Sequence, residues 1–184
     1  MTGERRYPDE PAGPFEAPPR TIEDAEGREL RLRRFGDATG VAAERDALVA
    51  MYDAFDPADR AQGIPPSAES AVREWVDDLL EGDAVNVLAW DGESVAGHAV
   101  LVPEPSGEYE LAIFVHQEYQ GAGVGTALIR ALLGAGQAEG IERVWLTVER
   151  WNSAAVTLYR GVGFETTNAG SFELEMAARL AGDG

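Results

Sequence analysis

The sequence contains no cysteine and no lysine: all 15 basic residues are arginine, and the histidines are two, His98 and His116. These absences remove whole chemistries. Without a thiol there is no cysteine nucleophile, iron–sulfur cluster or thiolate zinc site, and without lysine there is no Schiff-base enzyme and no phosphate-gripping Lys of a Walker loop. Two histidines do not make a His-rich cage, so no metal is expected. No apolar run reaches the length of a membrane span, and the first ten residues lack the apolar centre of a signal peptide, which points to a cytoplasmic protein with no membrane partner.

What the chain has in excess is acid. Its 33 Asp and Glu set a net charge of -18 and a pI near 4.3. A phosphate backbone would be repelled, so no nucleic-acid partner is expected. With 45% hydrophobic residues, the composition reads as halophilic, although an acidic protein of an ordinary cytoplasm would look the same. A length of 184 residues is enough for one domain with a core of its own.

Residues 1–26 carry Pro8, Pro11, Pro14, Pro18 and Pro19 among Gly and acids, and read as a flexible tail. The domain proper is expected over 27–184. Leu30 and Leu32 alternate with Arg31 and Arg33 as in a half-exposed strand. Leu48, Met51, Tyr52 and Phe55 recur at helical spacing, and Val72, Trp75, Val76, Leu79 and Leu80 line a second helix that Pro65-Pro66-Ser67 would start. Residues 84–103 read as a hairpin turning at Asp91-Gly92, and Glu108 to Val115 as a further strand. Next come a Gly-rich turn, a helix with Val124, Leu128, Leu132 and Ala135 on one face, and a stop at Gly140. A strand at Val144–Val148, a short helix capped by Asn152 and running through Tyr159, and a last strand at Phe172–Met176 complete the order β-α-α-β-β-β-α-β-α-β. This is one mixed α/β domain.

A strand entering a Gly-rich turn and then a helix makes an anion site, because the first helical N–H groups are free and glycines let a ligand approach the main chain. Gly121, Gly123 and Gly125 are spaced for it. Residues 113–163 hold four acids (Glu118, Glu139, Glu142, Glu149) and four arginines (Arg130, Arg143, Arg150, Arg160), so this stretch is neutral within a chain of -18. A dinucleotide fold would place its glycines after the first strand. Here several strands precede them.

The run Ile113-Phe-Val-His-Gln-Glu-Tyr-Gln-Gly-Ala-Gly-Val-Gly-Thr-Ala-Leu-Ile129, then Val144-Trp-Leu-Thr-Val148, then Asn152-Ser-Ala-Ala-Val-Thr-Leu-Tyr159 and Gly163-Phe164, resembles the GNAT superfamily of acetyl-CoA-dependent N-acetyltransferases. The resemblance spans about fifty residues and three motifs in the family's order. It implies a GNAT-like fold, a central and mostly antiparallel mixed sheet flanked by helices, with acetyl-CoA as co-substrate. By the same resemblance, Ile113, Phe114 and Val115 would offer backbone groups to the pantetheine arm. Gln120, Gly121, Ala122, Gly123, Val124 and Gly125, with Thr126 at the helix start, would cradle the pyrophosphate. Asn152 would contact the cofactor, and Tyr159 would protonate the leaving thiolate. A phenol of pKa about 10 is a reasonable donor to a thiolate of pKa about 8.5. Read alone, Asn152 is also a plain N-cap and Tyr159 a packed aromatic.

The base is less legible. Some relatives carry a Glu on the strand before the Asn helix, five residues ahead of that Asn, where this chain has Thr147. Glu110 and Glu108 share a face of the strand leading into the site, and Glu110 is the first candidate. Glu149 is the third, and His116 reads as structural. The acids Asp53, Asp56, Asp59, Glu74, Asp77, Asp78, Glu81 and Asp83 fit either a cationic acceptor or a solvated surface. The expected function is acetyl transfer to a primary amine, on a small molecule or peptide, by direct attack in a ternary complex of a monomer or homodimer. A non-catalytic acetyl-CoA sensor is the alternative.

Overall fold

The computed structural model describes residues 4–56, 66 and 68–182. Its frame is an eight-stranded sheet whose strands, in chain order, are β1 (Arg20–Glu23), β2 (Glu29–Arg34), β3 (Val85–Asp91), β4 (Ser94–Pro103), β5 (Tyr109–Val115), β6 (Arg143–Glu149), β7 (Glu165–Ala169) and β8 (Glu173–Arg179). Their spatial order is β1-β2-β3-β4-β5-β6-β8-β7, antiparallel throughout except for β5 beside β6. The helices are α1 (Val41–Asp53), α2 (Glu69–Leu80), α3 (Val124–Ala138) and α4 (Ser153–Gly161).

Burial follows from two helical layers. Val85 to Trp90 of β3 and Val95 to Leu101 of β4 are buried on both faces. One face packs on α3, where Leu128, Leu132 and Ala135 meet Leu30, Val87 and Leu101, with Val156, Tyr159 and Phe164 in the same core. The other receives α1 and α2, whose Leu48, Tyr52, Val72 and Val76 pack on Leu88, Trp90 and Val95. Strands covered on both faces lose the alternation expected of a half-solvated sheet.

The helices and inner strands lie where the periodicity predicts. Asp91-Gly92 turns the hairpin with Gly92 at φ 59°, and Gly140 ends α3 at φ 80°. The proposed start of α2 at Pro65-Pro66-Ser67 falls largely outside the described residues, as does Asp59.

Two strands escape the sequence reading, and both are sheet edges. β7 is Glu-Thr-Thr-Asn-Ala with no large apolar side chain, and β1 is Arg-Thr-Ile-Glu inside the expected tail. At the N-terminus the structure differs from a flexible tail. Ala12 bridges Leu180, its N–H donating to Arg179 O at 2.7 Å while Ala181 N donates back to its carbonyl at 3.0 Å. Phe15 N then donates to Gln137 Oε1 at 2.8 Å, and the chain crosses α3 so closely that a Cβ at Gly134 would collide with the Glu16 carbonyl. Gln137, Gly134 and Leu180 supply the order that this composition lacks by itself.

Candidate active site

β5 pairs with β6 through Tyr109↔Val144 and Glu110↔Trp145 and no further, although β5 stays paired with β4 to Val115 and β6 with β8 to Glu149. The two parallel strands therefore part after Glu110, and the β6 edge of Leu111 to Val115 faces a gap. Backbone polar groups left without a ladder partner need another one. That opening is a slot whose free strand edge could bond a ligand with amide groups of its own.

The slot ends at α3. A Cβ on Gly125 would lie 3.5 Å from Leu158 Cδ1 and 3.9 Å from Val115 Cγ2, so the first turn of α3, the end of β5 and α4 converge there. Gly123 is the N-cap, left-handed at φ 85°, without a side-chain cap and without an acidic residue in the first turn. The helix thus presents uncapped N–H groups at its positive end. Gly121 also has positive φ, and nothing lies within 4 Å of a Cβ built on either glycine. Here glycine serves backbone conformation and an open approach rather than packing.

The loop is braced by residues the sequence reading left in the tail or gave no role. Ala25 N donates to Ala122 O at 3.0 Å. Arg28 donates to Glu118 O at 3.1 Å and lies over the Tyr119 ring at 4.3 Å. The buried Asp24 carboxylate fixes that turn, accepting from Glu26 N, Arg28 N and Arg28 Nε, and these bonds hold its pKa below the usual carboxylate range against the opposing effect of burial. Tyr119 donates to Asp91 at 2.6 Å; burial and this bond push its own pKa up to about 12. An Asp four residues before an Arg at the end of a strand is a turn signal, yet nothing local tells which loop it supports.

The expected site residues are now placed. Ile113 and Val115 pack toward the α3 core, whereas the Phe114 side chain turns to the opposite face, 5.5 Å from Tyr52 and 5.3 Å from Trp75 between ring centres. Phe114 therefore has backbone groups alone to offer the slot. The Gln120 amide donates to Val115 O at 3.0 Å and holds the strand end. Ala122 and Val124 are buried, while Gly121, Gly123 and Thr126 are exposed. Asn152 caps α4, its side chain accepting from Ala155 N at 3.2 Å.

Tyr159 is 8% exposed and packs edge-on to Phe164 at 5.9 Å. Burial pushes its phenol up to about 12, so it stays protonated at any neutral pH. Glu110 is half-buried on the face opposite α3; burial and the nearby Glu104 raise its pKa, while Arg5 opposes them. Glu108 is differently placed. It accepts from Tyr7 at 2.5 Å, Arg5 at 2.9 Å and Ser106 at 2.8 Å, and these bonds, led by Tyr7, take its pKa down to about 2. Thr147 is exposed on β6, and Glu149 stands opposite Glu173 in the β6–β8 register. Among the described residues no group of three or more His, Asp or Glu could hold a metal, and no helix is long and apolar enough to cross a membrane.

The profile of the Acetyltransferase (GNAT) family matches residues 29–164, from β2 to the Phe164 that packs on Tyr159. The chain belongs to that family. It is similar to the mycothiol acetyltransferase of Nocardiopsis dassonvillei, 32% identical over 171 residues that make up 85% of this chain and 49% of the relative. It also resembles N-acetyltransferase 8B of Rattus norvegicus, 35% identical over 101 residues, 52% of this chain and 45% of the relative. The GNAT chain thus spans less than half the length of these curated relatives. Among solved structures, the GNAT domain of S. lividans PAT superposes with a TM-score of 0.73 at 17% identity, covering 88% of this chain and 96% of that one. A GNAT phosphinothricin acetyltransferase of Sinorhizobium meliloti, solved in complex with AcCoA, superposes at 0.67 with 20% identity over 84% and 90% of the two chains. These two show that the fold is shared.

Proposed function

We propose that this GNAT chain transfers an acetyl group from acetyl-CoA to a primary amine by direct attack in a ternary complex. The observation that carries the reading is the parting of β5 from β6 after Glu110, aimed at the uncapped start of α3. Family membership and the AcCoA complex of a same-fold neighbour support the choice of ligand.

The residues fit such a co-substrate. The N–H groups from Gly123 to Thr126 would bind its pyrophosphate, in a stretch of sequence, residues 113–163, whose acids and arginines balance. The open edge of β5, from Ile113 to Val115, would bind its pantetheine amides and polarise the thioester carbonyl. Acetyl-CoA supplies the activated acyl group. Tyr159 would hold its phenolic proton for the departing sulfur, and burial keeps that proton in place until it is needed. Glu110, on the face opposite α3 and raised by burial, would take the proton from the acceptor ammonium, directly or through water. Glu108 is the weaker base of the pair, because Tyr7, Arg5 and Ser106 already engage its carboxylate.

Calorimetric titration of the full chain with acetyl-CoA, with NAD as control, tests the site. Saturable binding of acetyl-CoA alone followed by thiol release with a primary amine is the expected result. Absence of acetyl-CoA binding to folded protein would overturn the reading. Binding without turnover across a broad amine panel would favour the sensor alternative.

A further inference from the structure

The sheet face opposite α3 is covered by α1 and α2 over β3 and β4, and no described helix covers it over β6 and β8. Across that uncovered part lies residues 4–9 of the chain itself. The Arg5 guanidinium sits 3.8 Å above the centre of the Trp145 ring, with Glu108 Oε1 at 2.9 Å and Glu175 Oε1 at 3.1 Å. Trp145 is held flat beneath it by donating from Nε1 to Glu104 at 2.9 Å. The seat adjoins an open cleft of about 880 Å³ lined by Glu4, Glu104, Glu108 and Glu175 together with Arg6 and Arg143. An aromatic floor with carboxylates on two sides is a receptor for a planar cation.

We infer that the seat of Arg5 is the cation subsite of the acceptor, and that Arg5 is a built-in competitor for it. The attachment of the arm supports exchange. From Ala12 onward the segment is locked by backbone hydrogen bonds, whereas residues 4–11 make no backbone-to-backbone hydrogen bond among the described residues and are held through side chains. Glu108 and Glu110 are alternate residues, about 7 Å apart along an extended chain. Trp145 is itself the ladder partner of Glu110 on the same sheet face, so a guanidinium seated on the Trp145 ring and a primary amine at Glu110 can belong to one short acceptor. The acceptor class is an alkyl chain carrying a guanidinium or second ammonium at the far end from the amine acetylated.

This inference rests on the acetyl-transfer reading for the fate of the amine, but the seat can be tested without acetyl-CoA. Agmatine is titrated calorimetrically, at low ionic strength, into the full chain, into Arg5→Gln and into Arg5→Gln/Glu175→Gln, each checked for folding by circular dichroism. Vacating the seat should tighten agmatine binding at least tenfold, and removing Glu175 in that background should abolish the gain. Equal affinity in the wild type and Arg5→Gln, or a gain that survives loss of Glu175, overturns the inference. Acetyl-CoA titrated into the same proteins reports separately on the proposed function, since Arg5 lies on the face away from α3.

Discussion

The Tyr52 hydroxyl donates to Nδ1 of His98 across 2.7 Å in the core between α1 and β4. Burial holds the imidazole neutral, its pKa taken down to about 3. A neutral ring has one N–H, and Nδ1 is the acceptor, so Nε2 donates to Asn86 Oδ1 at 2.7 Å. The Asn86 amide then donates to Leu79 O at 2.9 Å. One polar chain thus ties α1, β4, β3 and α2 together, and it seats the Tyr52 ring against Phe114 beside the slot.

Removing the Tyr52 hydroxyl should cost stability, because it leaves a buried acceptor without a donor. Tyr52→Phe is expected to lower the unfolding free energy by about 1–3 kcal/mol in urea titrations. His98 also sets a pH dependence. Its folded pKa lies below the unfolded value of 6.5, so the unfolded chain takes up the proton first; this contribution is intact above about 6.5 and is lost as pH falls toward about 3. Wild-type stability should therefore decline as pH falls from about 6.5 toward about 3, and His98→Gln should lack that part of the slope. Identical slopes would contradict a neutral buried imidazole.

Tyr159→Phe separates acid catalysis from packing. The ring keeps its contact with Phe164, so the fold and acetyl-CoA affinity should hold while kcat falls by about 10²–10⁴-fold, the usual worth of a positioned acid. Full activity in this variant would remove Tyr159 from the chemistry.

Glu110→Gln tests the base. With the Glu110 pKa raised by burial and by Glu104, the acid limb of kcat/KM should lie above the ordinary carboxylate range. The variant should lose that limb and turn over about 10²-fold or more slowly. Glu108→Gln is expected to leave the limb in place.

Gly123 should not tolerate a side chain. Alanine at φ 85° should cost about 1–2 kcal/mol in backbone strain. Gly123→Glu adds a carboxylate at the mouth of the helix and should weaken acetyl-CoA binding more than Gly123→Ala does, read by calorimetry. Equal effects of the two variants would mean that no anion sits there.

The brace at Arg28 gives a test remote from the ligand. Arg28→Ala removes the contacts to Glu118 O and to the Tyr119 ring and takes the guanidinium partner from the buried Asp24, so Tm should fall and the folded protein's affinity for acetyl-CoA should drop several-fold. An unchanged affinity would show that the loop holds its shape without the β1–β2 turn.

The sequence by itself determined the inner architecture and the position of the glycine-rich turn. Helices with a continuous apolar face, the Asp91-Gly92 turn and the glycines at 121, 123 and 125 are local patterns, and each depends on interactions within a few residues. The tertiary structure decided the rest. β1 and β7 are edge strands without apolar alternation, so the neighbours they pair with define them rather than their own side chains. The difference between Glu108 and Glu110, alike in the sequence, comes from Arg5 and Tyr7, more than a hundred residues away along the chain. Ordering of the N-terminal segment has the same origin, since its prolines and acids bury little and Gln137, Gly134 and Leu180 supply the contacts. Local propensity can reveal which residues could bind an anion. Which carboxylate is free to accept a proton depends on what the folded chain brings against it.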